Sequence, residues 1–197
     1  MSFKLGLTGS IGMGKSTTAQ MFVDLGCALW DADAAVHRLY AAGGTAVAPM
    51  RDAFPGAIVD GAVSRAALRD IISNDPNALQ RIEAIVHPLV AQDRAEFIAN
   101  AQAEILVFDI PLLFETGGNS AMDATACVFV PDDVQEARVM ARGTMTRDQF
   151  LAIRAKQLPA AEKCARADYV IETDSLEHAR AQVQNIVSQI SQGSPHA

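Results

Sequence analysis

Eight consecutive residues near the N-terminus, Gly9-Ser10-Ile11-Gly12-Met13-Gly14-Lys15-Ser16, match the pattern GxxxxGK(S/T) in full. Each residue type in it has work to do in holding a polyphosphate. The glycines let successive backbone N–H groups turn inward around phosphate oxygens, and a helix starting at the end of the pattern adds partial positive charge. Lys15 would reach the β- and γ-phosphates of a nucleotide, and the Ser16 hydroxyl would ligate Mg²⁺. Gly9, Gly12, Met13, Gly14, Lys15, Ser16 and the adjoining Thr17 are the expected ATP contacts.

A second set of residues could act on whatever the nucleotide meets. Asp33 follows a strand-like segment and is the candidate base for an acceptor hydroxyl, as aspartates are in kinases; its other reading is the N-cap of a helix from Ala34. Asp31 has the same two readings, acceptor contact or cap. Asp109 ends an apolar run, either as a partner of Mg²⁺ and its waters or as a plain strand-end turn carboxylate. His87, before Pro88, either touches the acceptor or marks a His-Pro interruption of a helix. Pro111-Leu112-Leu113 reads as core packing more than ligand contact, with Pro111 and Leu112 kept as acceptor candidates and Glu115 beside them as a further one. Arg138 and Arg142 lie four apart, on one face of a helix. Arg142 either stabilises charge on a transferring phosphoryl group or is a surface arginine.

The elements that must carry these groups follow from the pattern of the chain. Phe3–Thr8 reads as a short buried strand, and a helix runs from about Lys15 to Leu25. Cys27–Trp30 is a second strand, closing on Asp31. Alanine-rich helical segments follow at about 34–41, 45–54 and 64–72, and Asn74-Asp75-Pro76 starts another, with Asp75 as cap. That helix is expected to break before Pro88 and resume toward Asn100. Ile105–Phe108 and Cys127–Val130 are buried strands, the latter followed by a helix over 132–142. Thr146 and Gln149 have capping-box spacing for a further helix. Tyr169–Ile171 is the last strand, 175–190 the last helix, and 192–197 a tail without order. Short apolar strands alternating with helices predict a parallel sheet covered on both faces. The stretch 34–100 is expected to hold no strand and to be an insertion rather than a separate domain.

Composition narrows the class. The 197 residues are 50% hydrophobic, enough for a full core without disulfide or metal staples. Three separated cysteines without a CxxC pair fit a reducing cytosol. No run approaches the ~20 apolar residues of a membrane span, and the N-terminus runs straight into a strand, so a cytoplasmic protein without signal peptide is expected. A net charge of −7 argues against general nucleic-acid binding. Yet seven of the 16 Lys and Arg fall between Arg138 and Arg166, against two acids there, Asp148 and Glu162. That patch is either a solvated face or a local grip on a small polyanion.

With no NKxD-type guanine motif, no Glu after Asp109 and no LSGGQ-like stretch, the residues point to a small-molecule kinase. The helical insertion would hold the acceptor, and the basic patch would form a lid that excludes water from the transferring phosphoryl group. A nucleoside monophosphate kinase, or a nucleotide-binding module without turnover, are the alternatives this reading leaves.

Four further stretches identify a closer likeness: Asp31-Ala32-Asp33, Ile85-Val86-His87-Pro88-Leu89-Val90, Ile110-Pro111-Leu112-Leu113-Phe114-Glu115, and Ala165-Arg166-Ala167-Asp168-Tyr169-Val170-Ile171. Together with the phosphate loop, and in this order, the chain resembles the dephospho-CoA kinases from Lys4 to about Val187. The resemblance implies a three-layer α/β/α P-loop kinase core with a parallel sheet (1–33, 104–137 and 167–190), a helical acceptor-binding subdomain (34–103) and a lid (138–166), with Arg142 as the lid arginine. It implies transfer of the γ-phosphate of ATP, with Mg²⁺, to the ribose 3′-hydroxyl of dephospho-CoA. Its partners would then be those two small molecules, with no nucleic acid and no membrane. Two positions depart from the pattern: Cys164 where a basic residue is usual, and Arg69 where a small one is.

Overall fold

A computed structural model describes residues 2–193. Of the tail expected to lack order, residues 194–197 lie outside the described residues, while Gln192 and Gly193 close the final helix through backbone bonds to Ser188 and Ile190. The elements in chain order are β1 (Phe3–Thr8), α1 (Lys15–Asp24), β2 (Ala28–Asp31), α2 (Ala32–Tyr40), α3 (Val47–Ala53), β3 (Ile58–Val59), β4 (Ala62–Val63), α4 (Arg65–Asn74) and α5 (Ala78–Asn100). They continue with β5 (Ile105–Asp109), β6 (Ala124–Phe129), α6 (Asp132–Arg142), α7 (Arg147–Ala155), α8 (Ala160–Arg166), β7 (Tyr169–Glu172) and α9 (Leu176–Ser191). The chain forms two compact units, Met1–Trp30 with Ala101–Ala197, and Asp31–Asn100.

The first unit is built on a five-stranded sheet of order β2-β5-β1-β6-β7. β1 runs parallel to both β5 and β6, and β6 runs parallel to β7. All five residues of β5 and the last four of β1 are buried, which is why these strands read as continuous apolar runs rather than alternating ones. Leu5, Leu7, Ile105 and Val107 share a core with Phe22 of α1 and with Val183 and Ile186 of α9. The register pairs Leu7 with Asp109 and Thr8 with Cys127, so the carboxyl ends of β5 and β1 come level while β6 runs on past them to Phe129. In an open α/β sheet, ligands bind at that edge where the chain reverses its strand order, here on either side of β1.

The second unit has a core of its own, including Leu39, Met50, Phe54, Leu68, Ile82 and Val86. Two expectations are corrected in it. The stretch is not free of strands: β3 and β4 form an antiparallel hairpin, with Asp60 (φ 49°) and Gly61 (φ 78°) at the turn. Asp-Gly is a strong hairpin signal because both turn residues tolerate positive φ, and it was hidden by flanking strands only two residues long. The second correction is that Pro88 does not interrupt its helix. α5 runs unbroken from Ala78 to Asn100 with Pro88 inside. Pro88 forfeits the bond to the carbonyl of Ala84, but Ala84 is exposed and water can take that oxygen. Residues on both sides of the proline, Ile82, Val86, Leu89 and Val90, pack into one cluster, and that burial holds the helix together. In the first unit α8, which the sequence pattern did not separate from the basic patch, packs against β6.

Candidate active site

β1 delivers the chain into the phosphate loop, and α1 takes it away. Gly14 stands at the N-cap of α1 with φ 89°, and no side chain caps that end. A residue with a Cβ would be strained there, and an uncapped helix start leaves backbone N–H groups for an anion. At Gly9 the requirement is space: a Cβ would lie 2.2 Å from Val128 Cγ2. Ser16 and Thr17, in the first turn of α1, are exposed.

The loop is held from outside by side chains distant in sequence. Gln135 of α6, fully buried, donates its amide to the Ile11 carbonyl at 2.7 Å. The Thr173 hydroxyl, just past β7, donates to the Met13 carbonyl at 2.7 Å. Arg138 in turn donates to the Thr173 hydroxyl at 3.2 Å and to its carbonyl at 2.6 Å. The Ile11 N–H donates to Gln157 Oε1 at 3.4 Å. Drawing two loop carbonyls outward is what turns other backbone N–H groups toward a phosphate.

Lys15 forms an ion pair with Asp109, whose carboxylate is nearly inaccessible while the lysine keeps some exposure. The pair joins the first turn of α1 to the end of β5. In the following loop the acceptor candidate Leu112 is exposed, whereas its neighbours Leu113 and Phe114 are buried, so only part of that run is core. The Pro111 carbonyl accepts from the Thr8 hydroxyl at 3.1 Å and from Lys163 Nζ at 3.0 Å. Glu115 Oε1 accepts from Lys163 Nζ at 2.9 Å and from the Leu158 N–H at 3.0 Å, and its buried Oε2 has no donor from the protein. Burial pushes the Glu115 carboxyl up, but the Lys163 and Leu158 hydrogen bonds outweigh it and leave it below the ordinary carboxylate range.

Beside the loop lies a cavity of about 260 Å³, lined among others by Gly14, Thr17, Arg138, Arg142, Asp174 and Ser175. A nucleotide whose phosphates sit at the N-terminus of α1 has this space available to it. Arg138 and Arg142 both reach it from α6, while three other cations of the basic patch are paired elsewhere, Arg147 with Glu136, Arg154 with Asp132 and Arg166 with Glu162. Two cysteines separated in sequence meet where α8 packs on β6, with Cys164 Sγ 3.7 Å from Cys127 Sγ. Burial raises both thiols, so neither is poised as a nucleophile.

Three candidates lie in the second unit. Asp31 is the N-cap of α2 and accepts from the Ala34 N–H at 2.9 Å. Asp33 is therefore not that cap; it stands exposed in the first turn of the same helix. His87 is exposed midway along α5.

A phosphate loop with an Asp-paired lysine is shared by many phosphotransferases, so comparison over the whole chain decides among them. The family model described as dephospho-CoA kinase matches residues 3–178. A dephospho-CoA kinase of Ruegeria pomeroyi is 74% identical over 197 residues, 100% of each chain. This chain belongs to the dephospho-CoA kinase family. A solved structure from Thermus thermophilus, 33% identical, has a TM-score of 0.86 and covers 96% of this chain and 97% of its own. A dephospho-CoA kinase of Campylobacter jejuni, 22% identical with coverage of 98% and 99%, shares the fold at a TM-score of 0.70. Among the described residues no helix is long and apolar enough to cross a membrane.

Of the residues that hold the dephospho-CoA kinase phosphate loop, Gln135, Thr173 and Gln157 were absent from the sequence-based candidates. They lie outside any pattern of short range, and only the fold brings them to residues 11–13. Lys163 was counted in a basic patch, and its complete burial has one available signal, the apolar and small residues around it in Pro159–Ala167.

Proposed function

We propose that this dephospho-CoA kinase works with the roles that its phosphate loop and strand-end carboxylates suggest. The enzyme transfers the γ-phosphate of ATP to the ribose 3′-hydroxyl of dephospho-CoA, giving CoA and ADP. The observation that carries the roles is the Lys15–Asp109 pair at the level carboxyl ends of β1 and β5, beside an uncapped helix N-terminus. Backbone N–H groups of Gly9 to Thr17 cradle the phosphates, and Lys15 turns from Asp109 toward the β- and γ-oxygens when they arrive. The exposed Ser16 hydroxyl and the Asp109 carboxylate form an oxygen donor set suited to Mg²⁺, Asp109 through water. When bound, that ion neutralises charge on the phosphate oxygens.

Asp33 accepts the proton of the 3′-hydroxyl as its oxygen attacks the γ-phosphorus and the bond to ADP breaks. Arg142 stabilises the charge on the phosphoryl group in flight. Asp31, His87, Pro111, Leu112 and Glu115 line the acceptor, with the Glu115 Oε2 as the oxygen still lacking a donor. In this reading residues 1–33, 104–137 and 167–190 are the core of one kinase domain, 34–103 serves the acceptor and 138–166 acts as lid. The partners are ATP and dephospho-CoA, with neither nucleic acid nor membrane, and the setting is cytoplasmic.

The remote pantetheine arm of the acceptor supplies binding energy that positions its 3′-hydroxyl, so acceptors without the arm lose kcat as well as KM. The test supplies dephospho-CoA, AMP, CMP and shikimate in parallel with MgATP and reads kcat/KM for each, with mass spectrometry of the product. A preference for dephospho-CoA below about tenfold, or ~1.4 kcal/mol of transition-state binding, refutes the acceptor assignment.

A further inference from the structure

Lys163 is fully buried, which is rare for a lysine without a specific partner. It sits at a junction of three segments. Its ammonium donates to the Pro111 carbonyl at 3.0 Å and to Glu115 Oε1 at 2.9 Å. The same Pro111 carbonyl accepts from Thr8, the residue before Gly9, at 3.1 Å. The same Glu115 oxygen accepts from the Leu158 N–H at 3.0 Å. Each segment carries a group of the phosphate site next to its anchor. Thr8 leads directly into the loop. Pro111 lies two residues beyond Asp109, the partner of Lys15. Leu158 follows Gln157, whose side chain takes the Ile11 N–H.

We infer that Lys163, with Glu115, is a positioning residue for phosphoryl transfer, clamping the end of β1, the loop after β5 and the segment 157–163 so that Lys15 and the phosphate loop are held in working register. The energetics favour this over a role in stability alone. A buried ion pair gains little net stability over two well-packed apolar side chains, because desolvation of both charges consumes the Coulomb attraction. What an apolar pair lacks is direction. Only a donor with several N–H bonds fixes a backbone carbonyl and a carboxylate at once, and misplacement of a reacting group by about 1 Å costs on the order of 10²-fold in rate. The inference rests on the kinase reaction stated above, and the wild-type protein in the same assay tests that reaction separately.

Three variants of the full chain separate positioning from stability, each read by thermal melting and by ADP release with MgATP and dephospho-CoA. Lys163→Met strands the Glu115 carboxylate, and both Tm and kcat fall. Lys163→Met with Glu115→Leu replaces the pair by apolar side chains and restores most of the lost Tm, short of wild type by the Leu158 N–H that loses its acceptor. In that double variant kcat stays down by about 10²-fold, while KM for ATP and KM for dephospho-CoA both move much less, the latter separating positioning from the acceptor contact proposed for Glu115. Thr8→Val, nearly isosteric, removes only the second pin on the Pro111 carbonyl and lowers kcat several-fold at an unchanged Tm. Recovery of kcat along with Tm in the double variant overturns the inference and leaves the pair a packing feature. Should the Lys163 variants fail to fold, Thr8→Val decides alone, and wild-type kcat in it overturns the inference equally.

Discussion

Replacing Lys15 with alanine removes a positive charge twice over, from the phosphates during turnover and from Asp109 in the resting protein. Asp109 has 1% of its surface exposed, and its ion pair with Lys15 joins the end of β5 to α1. Breaking a buried pair by removing one partner costs about 3–5 kcal/mol, because the remaining charge stays in low dielectric. Lys15 itself retains 16% exposure, so the lower end, about 3 kcal/mol, applies. For a domain of this size each kcal/mol moves Tm by roughly 2–4 °C, giving a fall of about 6–12 °C. Asp109→Asn in the same chain removes the carboxylate charge that has lost Lys15 and should return most of that loss. Turnover should not return with it. The lysine's charge at the β- and γ-oxygens is an electrostatic contribution of the size that costs about 10²–10³ in kcat when removed. The measurements are melting curves and kcat for wild type, Lys15→Ala, Asp109→Asn and the double variant. If Lys15→Ala melts with wild type, the ion pair is not structural. If kcat per folded molecule stays above about a tenth of wild type, Lys15 is not the phosphate contact.

Asp33→Asn should lower kcat by roughly 10²–10⁴ with Tm unchanged, since Asp31 and not Asp33 caps α2; a lower Tm with kcat intact would make Asp33 a structural residue. Arg142→Ala should reduce kcat more than ATP affinity, whereas equal losses in affinity and in kcat/KM with kcat kept would make it a ground-state nucleotide contact in its cavity. Acid should reveal the Glu115 pair. Its carboxyl is held below its unfolded value of 4.5, so its contribution is complete above that pH and disappears as pH falls through the depressed folded value. The Tm advantage of wild type over Glu115→Gln should therefore be constant above about pH 5.5 and shrink below about pH 4; an advantage that persists to the lowest pH would refute the pair's charge as its source.

How far the sequence could be read depended on the range of each signal. β1, α1, β5 and the capping box of α7 were legible because apolar runs and cap residues act within a few positions, and Thr146 and Gln149 do form that box. The phosphate loop was legible for the same reason. Pro88 misled because its local penalty was outweighed by burial on both sides of it, a tertiary quantity. The hairpin at Asp60-Gly61 was missed because two-residue strands give no periodicity to count. The phosphate loop forms a short-range pattern, whereas the residues that reach it from α6, from beyond β7 and from before α8 form none. Asp31 and Asp33 shared a cap reading as sequence, and only the N-cap geometry assigns it to Asp31.

The distribution of those missed residues follows from what a phosphate loop is. Between Gly9 and Gly14 the chain is rich in glycine so that backbone can approach an anion, and Met13 is its one side chain packed in the apolar core. Fixing the backbone of each residue costs about 1–2 kcal/mol of conformational entropy, and a loop left free would take that cost from nucleotide binding. The Ile11 carbonyl bonded to Gln135, the Met13 carbonyl bonded to Thr173 and the Ile11 N–H bonded to Gln157 spread the cost over the folded unit instead. Thr173 is itself gripped twice by Arg138. The holders of the loop thus have to come from elements that fold for other reasons, the sheet edge at β7 and the helices after β6. A variant such as Thr173→Val would leave the motif intact letter for letter, yet it would release Met13 and return part of the entropy cost to the step in which ATP binds.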